Sequence, residues 1–184
     1  MGDSLITVVA IFLAAILMFI FPLMSLAERN DDISQLAVQT ATSEFVEDVR
    51  TTGKMTLEDY DGYLSEISAT GNSFDVEVLI QELDENPGVK TTQAEVTKIG
   101  ENLYYNKYTT QVEDELYDTG RIRLKEGDIV TVTAKNTNKT ISQLLRNFFY
   151  AISGNDSYQI AGQSTGVVLS LIHISEPTRH LRIS

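Results

Sequence analysis

The chain has 184 residues, no cysteine, no tryptophan and two histidines, and its 26 acidic against 14 basic residues give a net charge of −12. Such a chain repels a phosphate backbone, so no nucleic-acid partner is expected. The lack of cysteine excludes a disulfide framework and thiol chemistry. Both histidines, His173 and His180, fall in the last stretch, Leu169–Ser184. Its LSLIHISEPTR is what the codons of a transposase adapter used in sequencing libraries encode, and we expect residues 169–184 to be a non-native tail. Setting it aside removes Glu176, Arg179 and Arg182, leaving 25 acidic and 12 basic residues and a charge of −13. Imidazole catalysis and the common His/Cys zinc sites are then excluded as well.

Ser4–Ala27 carries no charge and is dominated by Ile, Leu, Val, Phe and Ala. At ~1.5 Å per residue it is long enough to cross a ~30 Å hydrocarbon core, which predicts a membrane anchor over residues 1–27. A secretory signal has a basic start and an apolar core of roughly 7–15 residues, whereas this segment is longer and begins Met-Gly-Asp-Ser. The small-x-small pattern of Ser25-Leu26-Ala27 supplies the alternative, an exported soluble chain released after Ala27. Few charges bear on orientation, only Asp3 on one side and Arg29 and Arg50 on the other. We expect the domain to be extracytoplasmic, with a cytoplasmic domain as the other arrangement.

Residues 28–53 read as an amphipathic stalk helix. Ile33, Leu36, Ala37, Ala41, Phe45 and Val49 follow helical spacing, and Gly53 is a stop. Nothing between Ala27 and Ile33 forces a break, so the anchor is expected to run into the stalk. Residues 54–168 are expected to form one α+β domain. Thr56, with Asp59 three residues on, predicts the N-terminus of a helix carrying Leu57, Tyr60, Leu64 and Ile67 and ending by Gly71. Alternation in SFDVEVLIQEL puts Phe74, Val76, Val78 and Ile80 on one face of a strand. A turn at Asp84–Gly88 and a polar stretch to about Asn106 precede a short helix, Thr110–Asp118, closed by Gly120. RIRLKEGDIVTVTAKN reads as a β-hairpin turning at Glu126-Gly127-Asp128. Thr140 caps a helix whose Ile141, Leu144, Leu145, Phe148 and Ile152 form an apolar face up to Gly154, and Tyr158–Val168 reads as a last strand. The sum is a small, mostly antiparallel sheet of about four strands packed with helices.

Acidic groups are the only catalytic-looking material: Glu58, Asp59 and Asp61, then Glu113, Asp114 and Glu115, then Glu126 and Asp128. Each lies at a helix start, on a polar helix face or in a turn, where acids cap helices or solubilise. Asp59-Tyr-Asp61-Gly62 supplies too few oxygens for a calcium loop. No phosphate-cradling glycine loop or nucleophile constellation is present, so we expect no catalytic residue, no metal, no cofactor and no enzyme activity. The aromatic run Asn102–Tyr108 reads as core or as a contact surface.

The apolar stripe of the stalk must pack on something. The domain's own sheet is the natural cover for Phe45 and Val49. Ile33, Leu36 and Ala37, nearer the membrane, and Ala41 four residues further on, are the expected contacts to another subunit, with Ala10, Ala14 and Ala15 offering a small-residue face within the anchor. The segment TTGKMTLEDYDGYLSEISATGNSFDVEV, Thr51–Val78, resembles the TadE-like pseudopilins of tight-adherence pili, a branch of the type IV pilin-like proteins. The resemblance covers anchor, stalk and first strand, less than half of the chain. It implies a pilin-like fold and a non-enzymatic part in a pilus or secretion apparatus, with the membrane and other pilin-like or apparatus subunits as partners. One departure is the missing prepilin peptidase motif, since Gly2 is followed by Asp3 and the apolar segment has no Glu. The alternative function is a soluble exported binding module with Tyr104–Tyr108 lining its pocket.

Overall fold

A computed structural model describes residues 2–84, 104–150 and 160–169, and in it anchor and stalk are one helix, α1 (Gly2–Thr52). At 1.5 Å per residue α1 is ~77 Å long. It passes through Pro22, whose missing N–H leaves one helical bond unmade without ending the helix. Gly53 does end it: at φ 65° it donates to the Val49 carbonyl at 2.9 Å and turns the chain back. Its apolar first half has no buried residue, and α1 is long and apolar enough to span a bilayer.

The remaining elements are β1 (Lys54–Thr56), α2 (Leu57–Ser68), β2 (Phe74–Leu83), β3 (Tyr104–Tyr108), α3 (Thr109–Thr119), β4 (Arg121–Arg123), β5 (Ile129–Asn136), α4 (Ile141–Tyr150) and β6 (Ala161–Val167). The fold is α+β, with a four-stranded antiparallel sheet in the order β3-β2-β5-β6 and a two-stranded ribbon β1-β4. Thr56 caps α2 as its sequence predicts, accepting from the Asp59 N–H at 3.2 Å while Asp59 accepts from the Thr56 N–H at 3.4 Å.

Two expectations are corrected. Arg121–Asn136 is no hairpin, because β4 pairs with β1, in the register Met55↔Ile122, and β5 pairs with β2 and β6. The glycine reversals cause this: Leu57 N–H donates to the Gly120 carbonyl at 3.0 Å and Leu124 N–H to the Gly53 carbonyl at 2.9 Å, which locks β4 to the start of the domain. Asp128 then accepts from Lys125 N–H at 2.7 Å and from Leu83 N–H at 2.9 Å, steering the chain across to β2. The second correction is β3, which occupies part of the stretch read as polar loop. The turn beyond Asp84, the end of the fourth helix and the tail after Leu169 lie outside the described residues.

One face of the sheet is buried. Val78 and Ile80 of β2 sit opposite Val132 and Val130 of β5, all at 1 % exposure or less. Against them pack Val38, Phe45, Val46 and Val49 of α1, and Tyr60, Tyr63 and Ile67 of α2. Phe45 stacks on Tyr63 with ring centroids 4.7 Å apart. The second half of α1 is therefore a wall of the domain core, continuous with the anchor.

Candidate functional site

Beyond the apolar anchor, α1 divides into two faces. Val38, Ala41, Thr42, Phe45, Val46 and Val49 point into the domain, whereas Ile33, Leu36 and Ala37 point away from it, with Ile33 62 % and Leu36 68 % exposed. Ala41, unlike the other three expected contacts, is 3 % exposed and packs in the domain's own core. The reason is angular. At about 100° per residue, Ala41 lies within about 60° of Phe45 and Val38, at the edge of the sheet side, whereas Ile33 and Leu36 lie about 120° or more from both and Ala37 falls between the two groups. The stripe read from the sequence as continuous thus splits into an inward and an outward part.

The inward face just beyond the apolar segment is polar, which spacing of apolar residues did not reveal. Gln35 pairs with both backbone groups of Ala161, its amide nitrogen donating to the carbonyl and its oxygen accepting from the N–H at 2.8 Å. Gln39 repeats the arrangement on Gln163, at 3.0 and 3.3 Å. Two side-chain amides, one helical turn apart, take the place of a neighbouring strand along β6 and close that sheet edge against pairing with another chain. Close approach of α1 depends on glycine. A Cβ at Gly162 would lie 2.9 Å from Thr42 Oγ1 and 3.0 Å from the Val38 carbonyl oxygen.

Where α1 leaves its apolar segment, a second polar group forms. The Thr140 hydroxyl donates to Asp31 Oδ2 at 2.8 Å, and Thr140 and Gln143 cap α4 reciprocally, at 3.3 Å in each direction. All three are at most 8 % exposed. Beside them a cavity of ≈ 480 Å³ opens between α1, the turn after α2 and the start of α4, lined by Leu23, Leu26, Ala27 and Asn30 of α1 and by Asn138 and Lys139 ahead of α4.

Four of the acidic groups, Asp59, Glu113, Glu115 and Asp128, have structural occupations. Asp59 caps α2, and Asp128 holds its turn. Glu113 accepts from the Tyr60 hydroxyl at 2.9 Å, and burial first, then this bond, pushes the Tyr60 phenol far above its ordinary range. Lys107 pairs with Glu82 at 2.6 Å and Glu115 at 3.1 Å; burial pulls its pKa down, but the two carboxylates outweigh that and leave it raised. Among the described residues no three His, Cys, Asp or Glu side chains gather as metal ligands would. Tyr104, Tyr105 and Tyr108 of β3 are 38–60 % exposed, on the surface of the sheet's far edge and outside the core. No family model matches this chain, and neither curated proteins nor solved structures yield a match.

Proposed function

We propose that the chain is a single-pass membrane protein with an extracytoplasmic domain, a non-enzymatic, pseudopilin-like component of a pilus or secretion apparatus. It assembles with similar subunits through the outward face of α1. The observation that carries this reading is that Ile33 and Leu36 stand 62 % and 68 % exposed on a helix continuous with the anchor, while the opposite face is taken up by the domain. Apolar side chains so placed, within about two helical turns of the membrane, suit lateral packing against a parallel helix rising from the same bilayer. The chain's lack of cysteine makes the test clean. Leu36→Cys is expected to form oxidative crosslinks in native membranes, and Ala41→Cys, buried in the same helix, is expected to stay monomeric. Monomer at both positions, under conditions that crosslink a known pilin, would remove helix-mediated assembly.

A further inference from the structure

We propose that the cavity at the membrane end of the domain binds the headgroup of an amine-bearing zwitterionic phospholipid, of the phosphatidylethanolamine class. The proposal rests on the anchoring of α1 in a bilayer. Leu5–Met24 fills a ~30 Å hydrocarbon core, and the headgroup layer adds ~5–8 Å on each side. Ala27 lies about 4.5 Å past that core and Asp31 about 6 Å further along the helix, so the cavity, lined from Leu23 to Asp31, runs from the edge of the core through the headgroup layer to its outer rim. Its volume of ≈ 480 Å³ falls in the ~300–1,000 Å³ range of small-ligand sites.

The lining matches a lipid in both polarity and charge. Leu23, Leu26 and Ala27 offer an apolar wall to the first methylenes of the acyl chains. Among the described residues lining the cavity, Lys139 and Asp31 carry the charges, one of each sign. Lys139 is exposed and forms no ion pair with a described residue. Asp31 is 4 % exposed and accepts only the Thr140 hydroxyl, on Oδ2, so its other oxygen is bonded to no described residue. A buried carboxylate in that state gains from a cationic donor. Ser142, 1 % exposed on the same lining, makes no side-chain bond to a described residue either. A phosphate on Lys139 and Ser142, with an ammonium N–H on Asp31, satisfies all three groups. A quaternary choline has no N–H to give Asp31, and a purely anionic headgroup meets that carboxylate as a like charge.

The experiment uses the full chain in detergent micelles, titrated by native mass spectrometry with phosphatidylethanolamine, phosphatidylcholine and phosphatidylglycerol of identical acyl chains. Expected is a single bound phosphatidylethanolamine at about tenfold lower concentration than either other lipid. Lys139→Gln and Asp31→Asn should each abolish that preference, and Lys135→Gln, a charge loss elsewhere on the domain, should leave it intact. Lys139 is exposed, so its variant does not threaten folding. Equal binding of the three lipids, or an unchanged preference in Lys139→Gln, overturns the proposal. So does displacement of the lipid by soluble phosphoethanolamine at equal concentration, which would mark a site for a free ligand. Flotation with vesicles, run in parallel, separates the two levels. A chain that does not float loses the anchor and the lipid site together, whereas one that floats without lipid preference loses the site alone.

Discussion

Tyr60 couples the stability of the domain to alkaline pH. It is 1 % exposed, and burial, with the Glu113 bond second, raises its pKa far above the ordinary value of 10.0; burial raises Tyr63 too, against a lowering bond from Thr42. A phenol held protonated in the folded state binds its proton more tightly there than in the unfolded chain. Below the unfolded pKa both states are protonated and pH has no effect through this group. Above it the unfolded chain alone ionises, and stability falls by up to ~1.4 kcal/mol per pH unit per phenol. Urea midpoints are therefore expected to drop between pH 10 and 11, and Tyr60→Phe to flatten that drop while costing about 1 kcal/mol at pH 7 through the lost Glu113 bond. Equal slopes for both proteins would refute the assignment. Sequence made the local half of such arrangements legible. The Thr56–Asp59 capping box lies within one helical turn and was readable. The Tyr60–Glu113 pair spans 53 positions, and no spacing rule reaches that far.

Between elements, α1 approaches β6 closely at both glycines of that strand, and the two are unequal. A Cβ at Gly162 would strike Val38 backbone and the packed Thr42, neither of which can yield, whereas at Gly166 the nearest atom, 2.8 Å away, is Cδ of the flexible Arg50 side chain. Gly162→Ala is expected to cost ~1–3 kcal/mol as an overpacked contact, and Gly166→Ala distinctly less. Gln35→Ala belongs to the same interface. It strips partners from the Ala161 N–H and carbonyl, which costs ~1–3 kcal/mol where water does not replace them. Chemical denaturation of the three variants checks the ranking, and a Gly166→Ala as damaging as Gly162→Ala would contradict it. β2, α2 and α3 were readable because each carries its own period and its own stop signals. β3 was not, since Tyr-Tyr-Asn-Lys-Tyr lacks a β-branched residue and its pairing to β2 is a tertiary property. The false hairpin has a related origin: adjacency and a Gly turn suggest pairing, yet the glycines at 53 and 120 had already committed β4 to β1.

For the molecule as a whole, α1 joins an exposed apolar half, long enough to span a bilayer, to a half buried in the domain, and the division falls inside one helix. The apolar half has no buried residue, so removing residues 2–27 takes no packing from the domain beyond the rim of the cavity beside Asp31. The segment 28–53 is different, although its sequence reads as a separate stalk. Val38, Phe45, Val46 and Val49 are at most 7 % exposed, and burying four such side chains contributes ~6–12 kcal/mol. That is as large as the ~5–15 kcal/mol net stability of an ordinary domain. The Gln35 and Gln39 bonds to β6 would be lost along with them. A chain beginning at Glu28 is accordingly expected to unfold cooperatively in urea and to show dispersed amide resonances. One beginning at Lys54 is expected to show neither, because the inner face of the sheet would have lost its cover. A cooperative transition in the shorter chain would mean that α2 alone can close the core, and that the stalk is separable from the domain after all. Apolar spacing along 28–53 identified the helix; it could not assign its sides, because the inward face uses Gln and Thr as much as Val. That mixed face leaves Ile33 and Leu36 outward and exposed, the position that the proposed packing against a second helix requires.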